Sequence, residues 1–245
     1  MQFNLYSQYY DLIYNNKDYS SEVEKVISKF DQNTNSILEL GCGSGGHALE
    51  FSKRNFSIIG IDLSSSMVKI ANQKAIRNFK AYEGNICDFQ LEEKFEAAVS
   101  MFHVISYLTE NNDIISCFNN VHNHLVQGGV FIFDFWFSPA VYHQGFEHRI
   151  KEFENDKIKV VRESSTISDL KKNVANVGFD IMVYSKQSDQ TQRIVEQHPM
   201  RCFSMPEIKL FAEITGFKVD EFFYLHSDEK PSLNTWAITA KLRKK

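Results

Sequence analysis

The chain is poor in the residues that brace or cross-link small folds, with four prolines and four cysteines in 245 residues. Cys42, Cys87, Cys117 and Cys202 are widely separated and form no Cys-x-x-Cys pair, which excludes zinc-ribbon spacings and a disulfide framework. No metal centre is expected. Net charge is small, −4, so no broad basic surface argues for nucleic acid. The most apolar stretch, residues 130–137, is interrupted by Asp134 and is far too short to cross a bilayer. The first six residues, Met-Gln-Phe-Asn-Leu-Tyr, lack the basic start and apolar run of an export signal, and a cytoplasmic location is the expectation.

What the chain does have is aromatic mass, with 21 Phe and 10 Tyr, enough for a deep core and an aromatic-lined pocket. Its length fits one large α/β domain carrying an insertion. Residues 19–30 place Val23, Val26, Ile27 and Phe30 on one helical face. Residues 36–40 form a short buried strand that runs into a glycine-rich loop, followed by a helix over 47–54 and a strand over 57–63. Ser64 caps the next helix, whose Met67, Ile70 and Ala71 share a face. Strands over 79–83 and 95–101 come next, then a helix from Asn111 with Ile114, Phe118, Val121 and Leu125 at helical spacing. Gly128-Gly129 is expected to stop that helix before a strand over 130–136. Such alternation implies a parallel sheet with helices on both faces.

From about residue 149 the pattern changes to three successive strands, over 157–163, 173–184 and 191–203, joined by polar turns. This is an antiparallel β-meander inserted after the fifth strand. Ser204 and Glu207 then have capping-box spacing, and strands over 217–224 and 235–242 close the chain. The expected organisation is an N-terminal helical cover over 1–35, an α/β core from 36–148 and 204–245, and the insertion over 149–203.

Gly41, Gly43 and Gly46 fit a dinucleotide fingerprint, with Asp62 at the end of the next strand. That pattern alone leaves nicotinamide or flavin nucleotides and S-adenosylmethionine in contention. Glu39 directly before the loop repels a pyrophosphate yet suits a cationic methionine end. Asn85 and Ile86, in the turn after the third strand, are placed to read an adenine edge: the Asn85 oxygen accepts from the amino group and a backbone amide at Ile86 or Cys87 reaches a ring nitrogen.

Glu-Leu-Gly-Cys-Gly-Ser-Gly over 39–45, Gly-Ile-Asp-Leu-Ser over 60–64, Gly-Asn-Ile-Cys-Asp-Phe over 84–89 and Gln-Gly-Gly-Val-Phe-Ile-Phe-Asp over 127–134 occur in that order. As a set they resemble the class I S-adenosylmethionine-dependent methyltransferases. The resemblance implies a Rossmann-like sheet of seven strands, the last inserted antiparallel, with helices on both faces. It also carries loop contacts onto Gly41, Cys42 and Gly43, the ribose contact onto Asp62, adenine packing onto Met67, and edge reading onto Asn85 and Ile86. Many relatives have Asp where this chain has Asn85, which keeps an acceptor and loses a charge. Met101 joins the cofactor set.

Tyr10-Asp-Leu-Ile-Tyr14 with Lys17-Asp-Tyr19, Val99-Ser-Met-Phe102, Ser106-Tyr-Leu108 and Asp134-Phe-Trp-Phe-Ser-Pro139 are similar to sugar N,N-dimethyltransferases of the desosamine and mycaminose type. That resemblance implies a nucleotide-linked amino sugar as acceptor and an extra sheet that covers the acceptor site or forms a homodimer contact. It makes Tyr14 a catalytic or acceptor-wall residue and lets Tyr19 reach the cofactor carboxylate. His103, just past the fourth strand, is a base candidate for a hydroxyl acceptor or a loop histidine. Phe102, Trp136 and Tyr142 are candidate cleft walls, and Arg149 and Arg201 candidate partners for a pyrophosphate. His198 beside Pro199 reads as structural, and Lys171-Lys172 as a solvated turn. Other readings left open are a different small-metabolite methyltransferase, a nicotinamide-dependent oxidoreductase and a non-catalytic cofactor-binding module.

Overall fold

A computed structural model describes residues 7–245; the expectations for Met1–Tyr6, including their part in a helical cover, lie outside the described residues. Two helices come first, α1 (Ser7–Ile13) and α2 (Tyr19–Ile27). Asp18 caps α2 by accepting from the Ser21 N–H, and Val23 and Val26 are fully buried beneath it. The core then alternates β1 (Ser36–Leu40), α3 (Gly46–Lys53), β2 (Ser57–Asp62), α4 (Ser65–Gln73), β3 (Phe79–Glu83), β4 (Phe95–Ser100), a 3-10 turn (Val104–Tyr107), α5 (Asn111–His124) and β5 (Leu125–Phe137). Next come α6 (Ser138–Gln144), the strands β6 (Arg149–Glu154), β7 (Ile158–Asp169), β8 (Val174–Ser185) and β9 (Thr191–Phe203), then α7 (Met205–Ile214), β10 (Phe217–Phe223) and β11 (Ala237–Lys244).

The sheet orders its core strands β3-β2-β1-β4-β5, all parallel, and β11 lies antiparallel between β5 and β10. Strand alternation sends the two faces into separate cores. Ile37, Ala97, Val99, Val130 and Ile132 face α2 and α3, packing on Val23, Val26, Ala48 and Phe51. Leu38, Leu40, Phe131, Phe133 and Phe135 face α5 and α7, packing on Phe118, Val121, Ile208 and Phe211. Each of these buried Phe side chains contributes about 1.5–3 kcal/mol of transfer free energy. Glu39 and Asp134 follow the parity of Ile37 and Ile132, so both point to the α2/α3 face.

Two expectations are corrected. Helix α5 does not run to Gly128-Gly129: it ends at His124, and Leu125 is already extended. Leu125 pairs with Phe95, and residues 126–129 bulge out before Val130 pairs with Ala97, with Gly128 at φ +77°. The meander has four strands, because β6 pairs antiparallel with β7 ahead of β8 and β9. It joins the core through parallel pairing of Trp136 and Phe137 with Cys202 and Phe203, at the carboxyl end of β5. The capping box of Ser204 and Glu207 is formed in both directions. No helix among the described residues is long and apolar enough to cross a membrane.

Candidate active site

The cofactor half is built by the turn between β1 and α3. Gly41, Gly43 and Gly45 adopt φ of +67°, +53° and +84°, a region that side-chain-bearing residues seldom enter. The Gly41 and Cys42 N–H groups donate to the Ile61 carbonyl at 2.7 and 3.2 Å, which pins the loop to the end of β2. Asp62 completes the clasp: its Oδ2 accepts from the Gly43 N–H and its Oδ1 from the Ser64 N–H, each at 2.8 Å. Burial raises the pKa of Asp62, and these two amide bonds oppose that rise.

A chain of ionisable side chains lies under the loop. His47 Nε2 is 2.7 Å from Glu22 Oε2, and Glu22 is also ion-paired with Lys17. Burial alone would push Glu22 up, but His47 and Lys17 bring it down to about 2. On its other side His47 Nδ1 stands 3.9 Å from Glu39 Oε1. Glu39 is 1% exposed, its Oε2 has no hydrogen-bond partner, and burial followed by the charge of Asp62 pushes its pKa up to about 8. Tyr19 packs against Gly46, where a Cβ would meet its ring at 2.6 Å, and lies edge-on to His47 at 4.8 Å.

These residues fit a cationic nucleoside. An orphaned, buried carboxylate oxygen on Glu39 suits an ammonium group. Asp62 keeps a second lone pair on each oxygen for ribose hydroxyls. A Cβ at Gly43 would meet nothing within 4 Å, which marks open space over the loop. Cys42 and Met101 are buried in the adjoining packing, and Met67, 2% exposed, receives its helix cap from Ser64. Asn85 is exposed, and its side-chain oxygen closes its own turn by accepting from the Cys87 N–H at 3.0 Å. That bond corrects the reading of the Cys87 amide as a base-reading donor, because its hydrogen is already committed. Ile86 is half-buried against the α5/α7 core.

On the acceptor side, Phe102 and His103 both adopt left-handed φ, +68° and +67°. Two such residues in succession cost on the order of 1–3 kcal/mol each unless the surroundings hold them. Asp134 supplies the hold, with Oδ1 accepting from the His103 N–H at 2.8 Å. Its Oδ2 is 2.8 Å from His103 Nδ1, close in distance but out of line for a straight hydrogen bond. Phe102 meets Tyr14 edge-on at 5.1 Å, and the Lys17 ammonium lies 4.5 Å from the Phe102 ring centre. Tyr14 accepts from an Arg162 guanidinium N–H at 3.1 Å, and Arg162 stacks 4.8 Å from the Phe179 ring.

Residues 37–129 match the methyltransferase-domain family. Over those residues the chain carries a methyltransferase domain. That domain is of the S-adenosylmethionine-dependent methyltransferase type. A dTDP-3-amino-3,4,6-trideoxy-alpha-D-glucopyranose N,N-dimethyltransferase of Streptomyces venezuelae is 31% identical over 142 residues, 56% of this chain and 60% of that protein. The matched stretch thus spans less than two thirds of that relative. The solved sugar N-methyltransferase KedS8 from Streptoalloteichus superposes with a TM-score of 0.81 at 20% identity, covering 96% of this chain and 93% of its own. The S-adenosylmethionine-bound amino pentose methyltransferase CalS10 of Micromonospora echinaspora gives 0.75 at 17%, covering 98% of each. At these identities the structures establish the fold.

Not every residue singled out in the sequence joins the methyltransferase cleft. Tyr14, Tyr19, Glu39, Asp62, Phe102 and His103 converge. Tyr142 packs with Val141, Ala175 and Cys202 in a separate cluster. Trp136 belongs to that cluster as well, edge-on to Trp236, although its ring is also 6.3 Å from His103. Arg149 is exposed on β6 and bonded to Glu147. Arg201 is buried and held by the Thr109 carbonyl, Asn111 and Glu207. Sequence reasoning gave no site role to Lys17, Glu22 and His47 under the loop, or to Arg162, Glu196 and His198 on the meander, His198 having been read as structural. A period-2 reading of β9 could have found the last two, since Ile194, Glu196, His198, Met200 and Cys202 share one face.

Proposed function

We propose that the enzyme transfers a methyl group to the amine of a nucleotide-linked deoxy amino sugar. The observation that carries this reading is the wall opposite the cofactor loop, where Tyr14, Phe102, Phe179 and Arg162 from three distant segments meet. An aromatic, poorly hydrated wall disfavours a protonated amine and so favours the nucleophilic free base. The amino-sugar substrate in the name of the Streptomyces venezuelae relative agrees with it.

When bound, S-adenosylmethionine supplies a methyl group on a cationic sulfur for in-line displacement. Glu39 and Asp62 would hold the two ends of that cofactor, and Tyr19 covers the loop. Tyr14 and Phe102 orient the acceptor, and the Asp134-held turn fixes Phe102 and His103 beside it. A cleft of about 390 Å³, whose lining includes Glu110, Asn112, Lys171 and Lys172, offers the two lysine ammonium groups to a pyrophosphate. The solvent-facing side of the meander, with Ile167 77% exposed and Val195 59% exposed, is assigned to a second copy of the chain. The closeness of His103 and Asp134 supports a second reading, in which His103 is the base for a hydroxyl acceptor.

The test is mass-spectrometric assay of methyl transfer from S-adenosylmethionine to dTDP-3-amino-3,6-dideoxyglucose, with dTDP-glucose as the hydroxyl control. Methylation of the amino sugar alone supports the leading reading, and methylation of dTDP-glucose supports the second. Tight S-adenosylhomocysteine binding with neither sugar turned over rejects both.

A further inference from the structure

Three groups beyond the residues assigned so far line up on the acceptor side. Tyr107 ends the 3-10 turn that follows His103, and its hydroxyl lies 3.0 Å from His198 Nδ1. On the far side of the same ring, Glu196 Oε2 lies 3.2 Å from Nε2, at ion-pair distance but off the line of a straight bond. His198 is 1% exposed and Glu196 is mostly covered, whereas Tyr107 keeps part of its surface. The turn that carries Tyr107 is fixed at both ends. Val104 sits where a Cβ on Gly41 would be, 2.5 Å away, and the Ser106 hydroxyl accepts from the Trp136 N–H.

The order of these groups is set by chemistry. A carboxylate beside Nε2 favours the proton on that nitrogen, which leaves Nδ1 to accept from the Tyr107 O–H. We propose that Tyr107, His198 and Glu196 form a proton-accepting relay, with Tyr107 as the residue that meets the acceptor amine. This deepens the amino-sugar reading and rests on it for the identity of the acceptor. An N–H bond of the acceptor ammonium breaks as an O–H bond forms on Tyr107. The original Tyr107 proton passes to Nδ1 of His198, and the imidazolium is balanced by the Glu196 carboxylate, which stays ionised. The amine is left with its lone pair, the form that a bound S-adenosylmethionine would methylate.

The surroundings favour this direction of transfer. Tyr107 is held neutral by burial and by the fields of Tyr14, Glu196 and Asp62, so it passes a proton on without becoming a phenolate. The Phe179 ring also lies against the imidazole at 4.9 Å, and the Arg162 cation stacks on that ring. Glu196 is the anion that offsets a charge formed on His198.

The experiment combines three variants, Tyr107→Phe, His198→Gln and Glu196→Gln, with histidine ¹⁵N NMR of the S-adenosylhomocysteine complex. In the wild type, His198 should be the neutral Nε2–H tautomer. Adding dTDP-3-amino-3,6-dideoxyglucose should convert it to imidazolium, and dTDP-glucose should not. Tyr107→Phe should lower kcat/KM by about 100-fold at pH 7 and recover above the amine's own pKa, while S-adenosylhomocysteine affinity stays within about twofold. A loss that is equal at every pH, or no loss, overturns the relay. If the amino sugar neither binds nor reacts, the acceptor reading fails on its own. The relay then survives only if His198 is still the neutral Nε2–H form and its Nδ1 resonance moves in Tyr107→Phe. A charged or Nδ1–H His198 overturns it in either case.

Discussion

Glu39 Oε1 and His47 Nδ1 stand 3.9 Å apart, beyond hydrogen-bond reach, and the other oxygen of this buried carboxylate, Oε2, has no hydrogen-bond partner. With its pKa near 8, Glu39 holds a proton at neutral pH in the ligand-free protein. It must release that proton to meet an ammonium group. Affinity for S-adenosylhomocysteine should therefore rise as pH increases from 6 to 8, approaching tenfold per unit below the pKa. Calorimetry in buffers of different ionisation enthalpy should register proton release on binding. A flat affinity profile with no proton release rejects the assignment.

The same group predicts a trade of stability for binding. Its folded pKa lies above the unfolded value, so the folded state holds a proton that the unfolded state lacks between about pH 4.5 and 8. That preference erodes the fold as pH rises through this window. Glu39→Gln should raise Tm more at pH 8.5 than at pH 5, and should weaken S-adenosylhomocysteine by at least about tenfold. Equal Tm shifts at both pH values contradict this.

Two glycines of one loop should fail in different ways. A Cβ at Gly41 would meet Val104 at 2.5 Å, with φ at +67°, so Gly41→Ala should destabilise by about 1–3 kcal/mol. Gly43→Ala meets nothing within 4 Å. It should cost about 1 kcal/mol for its φ and act chiefly by lowering cofactor affinity. Denaturant titration and calorimetry on both variants separate the two effects.

Asp62→Ala removes acceptors for the Gly43 and Ser64 amides together with the proposed ribose contact. S-adenosylhomocysteine affinity should fall about 100-fold, with about 1–3 kcal/mol of stability lost as well. Unchanged affinity in a folded variant excludes Asp62 from the ribose site.

His103→Asn separates the two acceptor readings. Asn tolerates the left-handed φ and keeps the main-chain N–H bonded to Asp134, so the fold should hold. With an amine acceptor kcat should fall less than about tenfold, and with a hydroxyl acceptor more than about 100-fold. The reverse order makes His103 essential to amine transfer.

The loop unit was legible because its determinants are close in sequence. Glu39, the loop and Asp62 fall within one β-α-β unit, and glycine spacing reports backbone geometry directly. The end of α5 was misread because Gly128-Gly129 resembles a helix stop, whereas pairing of Leu125 with Phe95 draws the chain into the sheet four residues earlier. The acceptor half was harder. Tyr14, Tyr107, Arg162 and His198 come from four segments, and no local spacing encodes their convergence. Arg149 and Arg201 drew notice as cations at the borders of an insertion, but one is solvated with Glu147 and the other is tied to Asn111 and Glu207. Arg162 lies mid-strand, where alternation alone marks it as inward-facing.

Among the described residues, the strand pairing of the meander with the core is confined to Trp136–Cys202 and Phe137–Phe203. So short a seam sets the terms on which the enzyme can diversify. Residues on β7, β8 and β9 can be exchanged to suit a new acceptor without disturbing the hydrogen bonds of Asp62 or the turn at Gly41. A lineage built this way can keep one methyl donor unchanged while it replaces the surface proposed to choose what is methylated.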